Sequence, residues 1–288
     1  MSKSFSKRNL QYALLAIFVI VNIFIWSAVA RADHRGLLTV AFLDVGQGDA
    51  IYIEAPNGNQ MLIDGGPSSG SLLRALGQMM PYWDRSIDVV LATHPDQDHV
   101  GGLPSVIQSM NVQNVVTTEN TTNTGAYSSF EKAINEKGAQ HIIARTSERI
   151  ILDDGVVFEI LFPETNTTGW ETNTSSIVAR LSYSNESFLL TGDSPQSIEE
   201  YLIKKDGGSL HSNVLKLGHH GSKTSSSKVF LSAVNPEYAV ISAGKANRYG
   251  HPSKEVVDLL TLLNIPSVST IDHGTIIFKT DGLQLSVR

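Results

Sequence analysis

Thr93-His94-Pro95-Asp96-Gln97-Asp98-His99-Val100-Gly101-Gly102 places two histidines and two carboxylates within six residues, directly after the apolar run Ile87-Asp88-Val89-Val90-Leu91-Ala92. A run that rich in β-branched and apolar residues predicts a strand, and the Gly-Gly pair predicts a tight exit from it. Four ligand-type side chains delivered into a glycine-rich turn read as a metal site rather than a solvated acidic turn. His94 and Asp96 alternate along an extended segment and so point the same way, with Pro95 favouring an extended His94. Asp98 and His99 are adjacent and must diverge, which suits a second ion. Two ions a few ångströms apart clamp the attacking and leaving oxygens of a hydrolysis.

The surrounding chain is ordinary in composition. It has 288 residues, 41% hydrophobic and 17% charged, with a formal charge of −6. That allows one large domain or two small ones. No strong positive field marks a polyanion binder, so any such binding rests on a local patch or a metal. There is no cysteine, which excludes disulfides, thiolate catalysis and cysteine-ligated zinc. Lys3, Lys7 and Arg8 precede an apolar run over residues 12–30 that only Asn22 and Ser27 interrupt. Such a run is long enough to span a bilayer, and Ala28, Ala30 and Ala32 offer small-residue cleavage sites. Residues 1–33 are therefore expected to be a signal peptide or a membrane anchor, and residues 34–288 the domain that carries the ligand turn. Either segment places that domain outside the cytoplasm, secreted or anchored to the outer face of the membrane.

Beyond residue 37 short apolar stretches alternate with turn residues. Strands are expected at 38–45, 50–54 and 60–63, an antiparallel meander closed by Asp64-Gly65-Gly66. A helix follows over 71–83, then the strand at 87 and the ligand turn. Further strands are expected at 114–118, 156–162, 177–183, 187–190, 213–217, 238–242, 267–271, 275–279 and 283–287. Helices are expected at 103–110, 127–137, 194–205, 228–234 and 254–263, with Pro195 in a first turn and Ser253 as a cap. The ligand-rich turns all follow strands. The fold class this pattern predicts is α+β, an αββα sandwich of two mixed sheets with outer helices, preceded by one apolar helix.

His-x-Asp-x-Asp-His resembles the His-x-His-x-Asp-His signature of the metallo-β-lactamase superfamily. A longer set is narrower. Asp44-Val45-Gly46-Gln47-Gly48-Asp49, Leu62-Ile63-Asp64-Gly65-Gly66, the ligand turn, Leu190-Thr191-Gly192-Asp193, Gly218-His219-His220-Gly221-Ser222 and Asn247-Arg248-Tyr249-Gly250-His251-Pro252 together resemble the C-terminal hydrolase domain of ComEC-type DNA-uptake (competence) proteins. The likeness runs over residues 37–288. Those proteins also carry a many-helix channel domain, whereas a single apolar segment stands here, so a separate channel protein is an expected partner.

The resemblance implies that His94 and Asp96 hold one metal, that Asp98 and His99 hold the other, and that Asp193 bridges them. One of His219 and His220 completes the second metal, His220 being preferred because it lies two residues before Ser222. Many superfamily members carry a further histidine before the bridging aspartate; here Thr172-Asn173-Thr174-Ser175-Ser176 stands instead. An oxygen-rich ligand set favours one or two divalent ions of the Mn²⁺ or Mg²⁺ type, with Zn²⁺ an alternative. Asp49 and Asp64 are candidates to hydrogen-bond the ligand histidines, or are simply turn residues. Ser222, Lys223, Arg248 and His251 are candidates for holding a phosphate, and Arg248-Tyr249 joins a donor fork to a stacking surface. The implied activity is hydrolysis of a phosphodiester, DNA above all, by a metal-bound hydroxide, with Asp98 and His251 as catalytic residues. Another ester or lactam, or a non-catalytic DNA-binding role, is the alternative.

Overall fold

The computed structural model describes residues 7–32, 36–245 and 247–288. Lys3 and the expected domain boundary between residues 33 and 34 lie outside the described residues. Helix α1 (Lys7–Ala32) is 26 residues long, and is long and apolar enough to cross a membrane. Leu14, Phe18 and Ile25 on it are more than half exposed. Asn22 is tolerated in this apolar setting because its amide donates to the Phe18 carbonyl one turn back at 2.9 Å.

The chain then forms β1 (Leu38–Phe42), β2 (Ile51–Glu54) and β3 (Gln60–Ile63), the expected meander. Helix α2 (Ser69–Met79) leads to β4 (Ser86–Leu91), which pairs parallel to β3. Helices α3 (Gln97–Val100) and α4 (Leu103–Ser109), strand β5 (Asn111–Thr117), helix α5 (Gly125–Lys137) and strand β6 (Gln140–Ile143) complete the first half. The second half opens on the antiparallel strands β7 (Arg149–Asp153), β8 (Val156–Phe162), β9 (Val178–Tyr183) and β10 (Glu186–Leu190). Helix α6 (Gln196–Asp206), β11 (Val214–Lys216), α7 (Lys228–Val234), β12 (Tyr238–Ile241), α8 (Lys254–Leu262), β13 (Ser267–Ser269), α9 (Thr270–His273), β14 (Ile276–Thr280) and β15 (Leu285–Val287) follow.

The strands form an eight-stranded sheet, in the order β15-β14-β1-β2-β3-β4-β5-β6, and a seven-stranded sheet, in the order β13-β12-β11-β10-β9-β8-β7. Alternation sorts their side chains between layers. Val89 and Leu91 of β4 enter the core between the sheets, while Val90 packs under α2, α4 and α5. That double burial is why the run before the ligand turn shows no polar alternation. Phe42, Phe278 and Phe188 knit the two sheets edge to face at 5.9 Å. Helices α6, α7 and α8 cover the outer face of the second sheet. The order of layers is helix, sheet, sheet, helix.

Two strands were not expected from the sequence. β6 and β7 are the outermost strands of their sheets, and they alternate poorly because much of both lies in solvent. Helix α2 stops at Met79, two residues before Pro81, rather than running to residue 83. Pro195 sits one position before α6 rather than in its first turn. Ser253 precedes α8 but makes no side-chain cap bond.

Candidate metal centre

The turns after β3, β4, β10, β11 and β12 meet at one edge of the sandwich, beside the β1–β2 connection. Asp64 organises the first group. Its carboxylate accepts from the Thr93 backbone N–H and hydroxyl, both at 2.7 Å, and pairs with His99 Nδ1 at 2.7 Å. Thr93 Oγ1 in turn contacts His94 Nδ1 at 3.0 Å. With Nδ1 engaged on both rings, both Nε2 atoms face inward. Asp64 holds this place with a left-handed backbone, φ 58°. Close approach of the β1–β2 connection completes the wall: a Cβ at Gly48 would stand 2.1 Å from the Asp98 carbonyl oxygen. Only glycine fits there.

The second sheet supplies the opposite side. Asp193 Oδ2 lies 3.3 Å from both His99 Nε2 and His220 Nε2, and His220 Nε2 is also 3.3 Å from Asp98 Oδ2. His220 Nδ1 donates to the Ser242 carbonyl at 3.0 Å. Asp49 Oδ1 approaches the same ring at 3.4 Å. Behind them Lys216, wholly buried, pairs with Asp49, donates to the Gly192 carbonyl at 3.1 Å and lies 3.7 Å from Asp193 Oδ1.

Despite this crowding, the buried His94 Nε2, His99 Nε2, His220 Nε2, Asp49 Oδ1 and Asp193 Oδ1 have no hydrogen-bond partner. Buried polar atoms left unpaired are costly, and the three Nε2 atoms lie beside the carboxylates of Asp98 and Asp193. His94, His99 and Asp193 offer ligand atoms within 4.8 Å of one another, as do Asp98, His99 and His220, and Asp49, Asp193 and His220. Atoms gathered around a point without bonding one another fit a divalent cation, and imidazole with carboxylate is a donor set that such ions accept.

The protonation pattern points the same way. Burial, with His99 adding to it, drives His94 down to about 3. Burial also opposes charge on His99 and His220, but Asp193 and Asp64 hold His99 well above its usual value, and Asp193 and Asp49 lift His220 to about 9. Against burial, His220 and His99 keep Asp193 far below the usual carboxylate range, Lys216 and His220 lower Asp49, and the neighbouring His220 and His99 lower Asp98. Burial outweighs His99 and raises Asp64. Imidazolium protons thus balance buried carboxylates where a cation would otherwise do so.

The remaining predicted residues sit at the rim or beyond it. Asp96 is 37% exposed, 3.8 Å from His94 Nε2, and accepts from the Thr172 hydroxyl at 3.0 Å. His219 is 27% exposed, 3.8 Å from Asp193 Oδ2, and its Nδ1 meets Thr224 Oγ1 at 3.2 Å. His251 lines the cavity over the cluster, about 160 Å³ in volume, with Asp193, His219 and His220. Burial, then His219 and His220, push His251 down to about 4. Arg248 lines an adjoining cleft of about 560 Å³. Ser222 is buried against Thr224, at 3.0 Å between hydroxyls, and Lys223 is exposed; neither lines these two cavities.

Sequence reasoning passed over Lys216. The available signal was a lysine inside the apolar strand Val214–Lys216, since a buried lysine requires an anionic partner. Where many superfamily members carry a histidine before the bridging aspartate, the Thr172 hydroxyl here donates to Asp96 and the Ser176 hydroxyl accepts from the Asp193 N–H at 3.2 Å.

Comparison with known proteins agrees with this geometry. The profile described as the Metallo-beta-lactamase superfamily matches residues 43–245. "Competence protein ComA" of Neisseria gonorrhoeae is 32% identical over 263 residues, covering 91% of this chain and 35% of that protein. "ComE operon protein 3" of Bacillus subtilis is 29% identical over 256 residues, covering 83% of this chain and 33% of that protein. The chain therefore spans about a third of the length of these relatives. Among solved structures, the metallo-beta-lactamase fold protein YhfI from Bacillus subtilis superposes with a TM-score of 0.57 at 10% identity, covering 84% of this chain and 100% of that one. The fold, the ligand turn and the match over residues 43–245 lead to one conclusion: this chain belongs to the metallo-beta-lactamase superfamily.

Proposed function

We propose that the protein is a metal-dependent phosphodiesterase that acts on DNA outside the cytoplasm, with α1 as its targeting or anchoring segment. The observation that carries the reading is that three buried imidazole Nε2 atoms without hydrogen-bond partners, on His94, His99 and His220, gather beside the carboxylates of Asp98 and Asp193. The likeness to a protein named for competence supports DNA as the substrate, and a separate DNA-uptake channel protein as the partner. His94, His99, His220, Asp98 and Asp193 hold one or two divalent ions, with Asp49 and Asp96 beside them; carboxylates favour Mn²⁺ or Mg²⁺, imidazoles admit Zn²⁺. A divalent ion there supplies Lewis acidity and a water that ionises near neutral pH.

The chain's own groups do the rest. Asp98, partly exposed at the cluster mouth, orients the attacking water. His251, held neutral at pH 7 by its low pKa, donates a hydrogen bond to a phosphate oxygen. Arg248, at the cleft edge, offers its guanidinium fork to the same phosphate. Asp64 keeps His99 aimed through Nδ1.

The test is hydrolysis of an end-labelled DNA strand by the full chain with Mn²⁺, expected to vanish with chelator and in Asp98→Ala. Turnover of bis-nitrophenyl phosphate with intact DNA would refute the substrate. DNA binding without cleavage of either compound would refute the enzyme.

A further inference from the structure

The cleft beside the metal cluster has a volume of about 560 Å³, within the range of sites that hold drug-sized ligands. Gln47, Asp96, Asp98 and Tyr249 line both this cleft and the smaller cavity over the ligands. The two spaces therefore adjoin. A molecule with an anionic group at the cluster extends its next portion past Tyr249.

Tyr249 is built as a platform. It is 54% exposed. One side packs on His251, with ring centroids 5.8 Å apart and planes inclined by 21°. Asn247 ties the two residues together: its Oδ1 accepts from the Tyr249 N–H at 3.2 Å and from the His251 N–H at 3.0 Å. The Asn247 amide also donates to the His251 and Gly244 carbonyls, at 2.6 and 2.9 Å. Over the Tyr249 ring lies the Arg248 guanidinium, its carbon 4.9 Å from the ring centroid. That group is planar, cationic and solvent-exposed, and its tether is an Nη2–H bond of 2.8 Å to the Tyr249 hydroxyl. Exposed pairs of this kind are weak, so a flat ring displaces the guanidinium at little cost. His251 in turn stands 6.2 Å from His220, ring to ring. Tyr249 is thus two ring steps from a metal-ligand residue, a separation that suits a base and its own phosphate.

We infer that this cleft is a nucleobase subsite. Tyr249 stacks on the base of the nucleotide whose phosphate sits at the cluster, and Arg248 swings from the ring to that phosphate. The polar wall of Gln47, Asp96 and Asp98 disfavours a purely apolar occupant, whereas a heteroaromatic ring next to an anion meets every group present. The inference rests on the phosphodiesterase reading for the position of the phosphate.

Stacking of one base on an aromatic side chain is typically worth about tenfold or more in affinity. The full chain with Mn²⁺ is therefore expected to bind deoxyadenosine 5′-monophosphate about tenfold more tightly than deoxyribose 5-phosphate, by calorimetry. Tyr249→Ala removes the preference, Tyr249→Phe and Tyr249→Trp keep it, and an unchanged thermal midpoint shows that each variant folds. Equal binding of the two ligands by the wild type, a preference that survives Tyr249→Ala, or no binding of either ligand would overturn the subsite. Bis-nitrophenyl phosphate turnover separates this from the parent reading. Turnover without base preference sinks the subsite alone; base preference without turnover sinks the phosphodiesterase alone.

Discussion

The two sheets build their shares of the cluster differently. The first contributes His94, Asp96, Asp98 and His99 from one turn, and its two histidines are braced by Asp64 and Thr93 through contacts of 2.7 to 3.0 Å. The second contributes Asp193, Lys216 and His220 from the ends of β10 and β11, with His251 arriving after β12. Its carboxylate is held by ions as much as by hydrogen bonds, with Lys216 behind Asp193 and two imidazoles in front. One side is positioned by a bonded network and is ready before any cation arrives. The other depends on charge balance and should respond more strongly when a charge is removed.

The largest expected effect is on that second side. Asp193→Ala removes the group that faces both His99 and His220. Metal affinity should fall by more than the roughly 10–100-fold typical of losing a residue that only supports ligands, and hydrolysis should disappear. Titration calorimetry with Mn²⁺ measures it; unchanged affinity would move the site away from Asp193. Lys216→Met comes next. Breaking a buried ion pair costs about 3–5 kcal/mol, because Asp49 is left charged and unpaired. The loss should be large in metal-free protein and smaller with metal, which supplies a counter-charge. Thermal melts with and without chelator read both, and equal losses would reduce Lys216 to a packing role.

On the braced side the change should be milder. Asp64→Asn replaces the acceptor of His99 Nδ1–H by a neutral amide and should weaken metal binding by about 10–100-fold while the fold persists. A collapse of the whole protein would show that the brace is structural first.

The smallest effect is the pH dependence of metal-free stability. His99 and His220 have folded pKa values raised above 6.5, His220 to about 9. Their stabilisation is complete below about 6.5 and is lost as pH climbs through their raised values, for His220 about 9. His94 and His251 are lowered to about 3 and about 4, so their cost grows as pH falls below 6.5. The melting temperature of metal-free protein should therefore peak near neutrality. Saturating metal should flatten the alkaline limb, because imidazoles bound to metal are already deprotonated. An alkaline limb that is the same with and without metal would place the metal elsewhere.

The contrast between the two sides also governs what could be read in advance. The ligand turn was legible because its four ligand-type residues fall within one local segment, with a buried strand before it and glycines after. Asp193 and His220 were legible through likeness to a family, since neither neighbours the turn in the chain. The left-handed backbones of His219 and His220, φ 48° and 57°, leave adjacent residues in different settings, one 27% exposed and the other 1%. Spacing to Ser222 favoured His220 without describing either setting. Lys216 was legible only in part: a lysine inside an apolar strand points to a buried anionic partner, but the sequence does not say which carboxylate faces it. The edge strands β6 and β7 escaped for a different reason: exposed over much of their length, neither carries the regular alternation that marks a strand.

The residues alone determined the layered α+β architecture, the apolar leading helix and the ligand turn, because periodicity, β-branching and turn chemistry act over a few neighbours. Tertiary structure alone decided which carboxylates lie inside. Asp49 enters the cluster and Asp96 stays at its rim, although Asp96 belongs to the motif and Asp49 does not. Gly48 packs against the Asp98 carbonyl, the Asp49 N–H donates to that carbonyl at 3.2 Å and the Asp49 carboxylate pairs with Lys216, while Asp96 accepts from Thr172. These are contacts between distant parts of the chain, which local patterns do not encode.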